Sequence, residues 1–220
     1  MNPEQRQTRW WVWVPTGVGV VLAPLHALAR FATPDGKEDL ESGAVQWWAE
    51  PAARALRPLL DWSDVDTVYR AYGKVWPVLL AATALSAMQV SRSRRPGRLE
   101  RWGWRLTLPG LVLMVLGLFG FFWIGLDVAY IAAGMPGYLL TVVGSVLLGI
   151  AFLRDGYRPW LVPALLLGWL PLDIALSSVL SAGTGTLPMM AAWALAIQTA
   201  RSGAIRRPTR PGALSSGPIG

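Results

Sequence analysis

The chain has 220 residues, of which 53% are hydrophobic and only 15% charged, with a formal net charge of +7. Ordinary soluble domains carry about 25% charged residues, so this composition is typical of a protein embedded in a membrane. There is no cysteine and only one histidine, His26. These absences exclude disulfides, thiol catalysis, iron–sulfur ligation and poly-histidine metal or haem sites within the chain. We therefore predict neither a cofactor nor a metal site.

Six apolar segments are predicted to cross the membrane as helices, because they approach or exceed the ~18 residues that mark a span. The second and the sixth are short or weak. A cleaved signal peptide is the alternative for the first segment, which has a basic start and small residues near its end; we prefer a retained helix. The predicted fold is all-α, one polytopic bundle over residues 1–203, with spans at about 10–31, 75–90, 106–126, 137–153, 160–180 and 187–203.

Basic residues sort to one side of these six segments. With the N-terminus inside, the inner loops and both termini hold most of the 20 lysines and arginines, including the loop 91–105. The outer side receives the acidic loop 32–74 and the uncharged turn 181–187. This pattern obeys the positive-inside rule and predicts a multi-pass plasma-membrane protein with both termini cytoplasmic. Topology thus explains the positive charge, and nucleic acid is not a predicted partner.

Tryptophans are abundant and mark both predicted interfaces. An indole favours this position because its ring lies in hydrocarbon while its N–H reaches the headgroups. Within the predicted spans, Trp169 and Trp193 lie nearer the middle of the membrane and need other partners. Abundant arginine and scarce lysine, together with many alanine, glycine, proline and tryptophan residues, indicate a high-GC bacterial source.

The outer loop 32–74 carries an amphipathic stretch. In "VQWWAEPAARALRPLLDW", apolar side chains recur at helical spacing, which predicts a short helix lying flat in the membrane interface. Two roles stay open, a lid over the ends of the bundle or a cap over an outward-facing cavity. The apolar stripe consists of Val45, Trp48, Ala52, Leu56 and Leu59.

The C-terminal tail 204–220, rich in proline, glycine and serine, is predicted to be disordered and cytoplasmic.

Asp173, in "LPLDIALS", is the only charged residue between Arg158 and Arg201. A carboxylate within a span costs about 2.5–3.5 kcal/mol on insertion scales, so it should face the protein interior or water and have a partner. At 1.5 Å per residue, Asp173 and His26 both lie roughly 20 Å along their helices from the inner side. We expect Asp173 to contact one of His26, Arg30, Trp169 and Ser177.

Two interpretations of Asp173 stay open. A buried Asp–His or Asp–Arg pair can tie two helices together and have no further role. The other interpretation is a proton, ion or substrate site. The candidate catalytic residues are then Asp173 and His26, and the candidate substrate-binding residues are Trp169, Trp193, Ser177 and Arg30.

The sequence favours a non-catalytic function. It lacks a phosphate-binding loop, has no lysine within a span to form a retinal Schiff base, and shows no convincing repeat of an inverted-repeat transporter. The prediction is a protein that binds or moves a lipid or hydrophobic small molecule, or that serves as a subunit of a membrane complex. Its partners would be membrane lipids, such a ligand or other membrane subunits.

The alternative is an intramembrane enzyme that performs acid–base chemistry on an isoprenoid-like (terpenoid) or lipid substrate. Asp173 would then donate the proton and His26 would act as the base or as the partner of Asp173. Trp169 and Trp193 would stabilise a developing cation through their ring faces.

Overall fold

In this computed structural model, residues 10–41, 43–180 and 184–203 are described. Over these ranges the chain is helical and contains no strand, which confirms the all-α class. The predicted tail 204–220 and the N-terminal arginines Arg6 and Arg9 lie outside the described residues.

Nine helices organise the described chain, and they occupy every predicted apolar segment. Short 3-10, α and π turns connect or extend them, notably Trp10–Trp13, Gly120–Ile124, Tyr130–Gly134 and Thr184–Thr186. The helices are α1 (Val14–Ala32), α2 (Gly43–Ala55), α3 (Val65–Gly73), α4 (Val75–Ser93), α5 (Arg98–Phe119), α6 (Met135–Arg154), α7 (Leu161–Leu167), α8 (Trp169–Val179) and α9 (Leu187–Gly203).

Length and hydropathy single out three membrane-spanning candidates among the described residues, Trp11–Ala32, Arg98–Ile124 and Asp127–Arg154. The bent pair α7 and α8 makes a fourth if it is counted as one span. The segments predicted as weak, now α4 and α9, fall outside this set. Three to four helices are therefore long and apolar enough to span a membrane.

The fifth predicted span is broken into α7 and α8, which meet at Gly168 with a bend of 66°. Pro171 lies at the third position of α8 and has no N–H to donate to a carbonyl of the preceding turn. The hydrogen-bond ladder is therefore interrupted where the two helices join. As a result, α8 leaves the axis of α7 and contacts α2, α6 and the Thr184–Thr186 turn.

Helices α5 and α6 pack with their backbones in close approach. A Cβ built on Gly137 would lie 2.6 Å from the Met114 backbone nitrogen and 2.7 Å from the Gly110 carbonyl oxygen. Small residues permit this close backbone approach. Gly137 and Gly144 of α6 therefore pack directly against the backbone of α5.

A buried ion pair lies where α4 leads into α5. Glu100 is 1% exposed, and Arg94 donates to both of its carboxylate oxygens, at 2.6 and 3.3 Å. The Trp104 indole donates to the same carboxylate at 3.1 Å, and Arg94 also reaches Asp155 at 3.1 Å. Three helices are joined here through one arginine.

The long connection 32–74 is largely helical over its described residues and packs on the other helices. In α2, the buried side chains of Val45 and Ala49 belong to one hydrophobic cluster with Phe31 of α1. The Trp48 indole donates to the Val179 carbonyl at the end of α8, at 3.0 Å. Asp64 caps α3 by accepting from the Thr67 N–H at 3.0 Å. The predicted helix is present, and α3 lies beside α1 and α4.

Candidate functional site

A cavity of about 330 Å³ lies between the second half of α1, the start of α4, the end of α5, the start of α6, and α8. Its wall is mainly aromatic and aliphatic, with a few polar side chains. The polar groups are His26, Arg30, Asp173, Ser177 and Thr186, and the aromatic groups are Tyr69, Trp76, Phe121, Phe122, Tyr130 and Tyr138.

Asp173 and His26, which the sequence placed at one depth, line this same cavity. They are not hydrogen-bonded to each other, so His26, one of the four partners expected for Asp173, is not its hydrogen-bond partner in the described structure. The partner of Asp173 is Tyr138 of α6, whose hydroxyl donates to Asp173 Oδ2. The bend at Gly168 explains the difference, because it turns α8 away from the axis of α7.

The backbone turn before α9 fixes the other side of the Asp173 carboxylate. Gly185 lies so close that a Cβ there would overlap Asp173 Oδ1. The Trp169 indole donates to the Gly185 carbonyl at 2.8 Å, and its ring packs edge-on against Tyr138, with centroids 5.5 Å apart. The carboxylate is thus positioned by neutral groups. Among the described residues, no cation forms an ion pair with it.

His26 is 1% exposed and enclosed by aromatic rings. It stacks on Tyr69 with centroids 5.1 Å apart, and meets Trp76 and Phe122 edge-on at 5.8 and 5.7 Å. Neither ring nitrogen has a hydrogen-bond partner in the described structure, and the same is true of Trp76 Nε1. Buried polar atoms are rarely left unsatisfied. A ligand with hydrogen-bonding groups would satisfy them from the cavity.

Arg30 and Tyr69 lie where the cavity meets the outer loop. Arg30 Nε donates to Asp39 Oδ2 at 3.1 Å. The charge of Arg30 is therefore balanced by Asp39, and not by Asp173, for which Arg30 was one of the expected partners. Burial raises the pKa of the Tyr69 hydroxyl, although the nearby Arg30 opposes the shift. Tyr69 therefore stays protonated at neutral pH and retains a hydrogen-bond donor.

The other predicted site residues separate into two groups. Ser177 lines the cavity, one turn beyond Asp173. Trp169 stands behind the wall, 1% exposed, and supports Tyr138 and Gly185. Trp193 is not a lining residue, because it packs in the core against Trp104 with ring centroids 5.2 Å apart.

Tyr138 and Trp76 are among the lining residues that were missed as site candidates. Tyr138 is the only tyrosine or tryptophan in the fourth predicted span, and this was a usable signal because a phenol within a span needs a hydrogen-bond partner. Trp76 was interpreted as an interface residue, although it is 2% exposed and faces the cavity.

Comparison with known proteins gives no relative: no family model matches this chain, and neither a curated protein nor a solved structure matches it.

Proposed function

We propose that this protein is a multi-pass bacterial plasma-membrane protein that binds, and in doing so can move, a lipid or another amphiphilic small molecule. The observation that carries the proposal is the cavity that contains His26, Trp76 and Asp173. Ligand sites are typically concave and mostly apolar, with a few convergent polar groups. The unsatisfied nitrogens of His26 and Trp76 supply such groups deep in an aromatic wall.

The charge pattern supports six spans with both termini in the cytoplasm. In that orientation the end of α1, the start of α4 and the start of α6 all lie towards the outer side. These are the parts of the helices that line the cavity. Tyr69 of α3 then closes the cavity from the outer loop, which favours the role of a cap over an outward-facing site.

Blocking the cavity tests the proposal. Leu118 lines it from α5, whereas Leu116 on the same helix is 57% exposed and points away from the core. Wild-type protein purified in a non-ionic detergent and incubated with total bacterial lipid extract should retain a bound amphiphile in native mass spectra. Leu118→Trp should lose that adduct and Leu116→Trp should keep it.

Thermal melting of both variants checks that each is folded before the spectra are compared. Retention of the same adduct by a folded Leu118→Trp variant would show that the cavity is not the binding site. The absence of any retained molecule from the wild type would count against the proposed function as a whole.

A second candidate is acid–base chemistry on an isoprenoid-like or lipid substrate. The hydrogen bond between Tyr138 and Asp173, at the wall of the same cavity as His26, favours it. If it is correct, wild-type protein should change the mass or retention time of a component of the extract. Asp173→Asn should still bind that component and leave it unchanged.

A further inference from the structure

We infer that the cavity takes an organic cation, a lipophilic amine or quaternary ammonium compound whose charged group lies beside Asp173. This inference rests on the proposed function and names the ligand class for the same site. Three observations carry it: the charge balance around the cavity, the aromatic wall, and the engagement of Arg30 outside it.

The charge balance leaves one carboxylate uncompensated. Arg30 is paired with Asp39. His26 is 1% exposed and has no acceptor for an added proton in the described structure, so it is counted as neutral. The formal charge that remains among the lining residues is that of Asp173. No described residue forms an ion pair with Asp173, and its hydrogen-bond partner Tyr138 is uncharged. A carboxylate in apolar surroundings is costly without a counter-charge. A cationic ligand provides that charge.

The aromatic wall suits the same ligand. The face of an aromatic ring attracts a cation, and rings arranged around a site are a general means of recognising ammonium groups. Tyr138 contributes both its ring to the wall and its hydroxyl to Asp173. Tyr69, Trp76 and Phe122 surround the His26 side of the same cavity.

An anionic ligand fits less well. Its natural anchor would be Arg30, but the Arg30 guanidinium already donates to Asp39 at 3.1 Å. An anion placed in the cavity would also share it with the Asp173 carboxylate, and like charges at close range repel. The geometry therefore points to a cation.

Three probes with the same number of non-hydrogen atoms and different charges test this inference: benzyltrimethylammonium, N-benzylacetamide and benzylsulfonate. Isothermal titration calorimetry of wild-type protein in a non-ionic detergent gives the dissociation constant of each. We expect benzyltrimethylammonium to bind at least about tenfold more tightly than the other two, since removing one partner of a desolvated charge pair costs 1.4 kcal/mol or more.

The variant Asp173→Asn should weaken benzyltrimethylammonium binding at least about tenfold and leave N-benzylacetamide binding unchanged. Asp127→Asn is the matched control, because Asp127 carries the same charge on a side chain that is 74% exposed and does not line the cavity. It should bind all three probes as the wild type does.

Each other outcome overturns the inference in its own way. Equal binding of the cation and the neutral probe would mean that the cavity binds ligands without selecting for charge. The cation inference would then be wrong, and the proposed function would stand. Tighter binding of benzylsulfonate would make Arg30 the anchor. If none of the probes binds, the cation assignment fails, and retention of an amphiphile by the wild type decides separately whether the proposed function fails with it. The probe series on wild-type protein needs no variant to fold.

Discussion

The carboxylates of Glu100 and Asp173 have contrasting surroundings. Glu100, 1% exposed, receives two hydrogen bonds from the Arg94 guanidinium and one from Trp104. Asp173, at the cavity wall, receives one hydrogen bond from a neutral phenol and has no cation among its described neighbours. The first carboxylate is enclosed by its counter-charge, and the second faces open space.

The two carboxylates differ in burial and in counter-charge: Glu100 is buried against a cation, and Asp173 is half-buried without one. A carboxylate that meets a guanidinium across helices fixes their arrangement, because removing either partner leaves an unpaired charge. Arg94 further packs its guanidinium 4.6 Å from the Phe152 ring centroid. Asp173 lacks such a partner, and the space beside it is about 330 Å³. The cationic ligand proposed above would supply the missing counter-charge.

Removal of Arg94 should have the largest effect on stability. Arg94→Ala leaves Glu100 buried without a counter-charge, and breaking a buried ion pair typically costs about 3–5 kcal/mol. Thermal unfolding in detergent, followed by circular dichroism, measures the loss. Arg92→Ala is the control, because Arg92 is exposed in the same stretch and surface substitutions usually change stability by about 0.5 kcal/mol or less. Equal losses in the two variants would contradict a special role for the ion pair.

The hydrogen bond between Tyr138 and Asp173 should contribute less. Tyr138→Phe keeps the ring against Trp169 and removes only the hydroxyl, so we expect a loss of about 1 kcal/mol. Tyr130→Phe removes a phenol hydroxyl from a residue that is 37% exposed and should be nearly neutral. The same unfolding measurement distinguishes them. A neutral Tyr138→Phe variant would mean that Asp173 is held by the Gly185 turn alone.

Neutralising Asp173 should have the smallest effect. Asp173→Asn retains an oxygen that can accept from Tyr138 and removes a charge with no cationic partner, so stability should change by less than about 1 kcal/mol. Glu100→Gln is the matched comparison. It removes the buried carboxylate that pairs with Arg94 and leaves only Asp155 as the anionic partner of Arg94, so this variant should be clearly less stable than Asp173→Asn. If Asp173→Asn is the more damaging of the two, Asp173 is a structural tie, and the distinction between the two carboxylates fails.

The candidate site was partly accessible from the sequence. Asp173 and His26 stood out because a charged or polar residue in an apolar helix must face the interior, and Arg30 and Ser177 followed from helical spacing. All four line the cavity. Trp169 and Trp193 were assigned to the site only because they lay mid-span, and both lie behind or away from it. Glu100 was not singled out as buried, since it stands among arginines in a basic loop.

The sequence by itself determined the local structure: apolar segments that form helices, and an amphipathic helix in the connection 32–74. These follow from hydropathy and backbone sterics, which act over a few residues. Only the tertiary structure decided which residues of different helices are in contact. With the 66° bend at Gly168, Asp173 is hydrogen-bonded to Tyr138 and not to any of the four partners expected for it, and it shares a cavity with His26. Contacts between distant helices depend on the direction in which each helix leaves its predecessor, and helical periodicity holds no information about that direction.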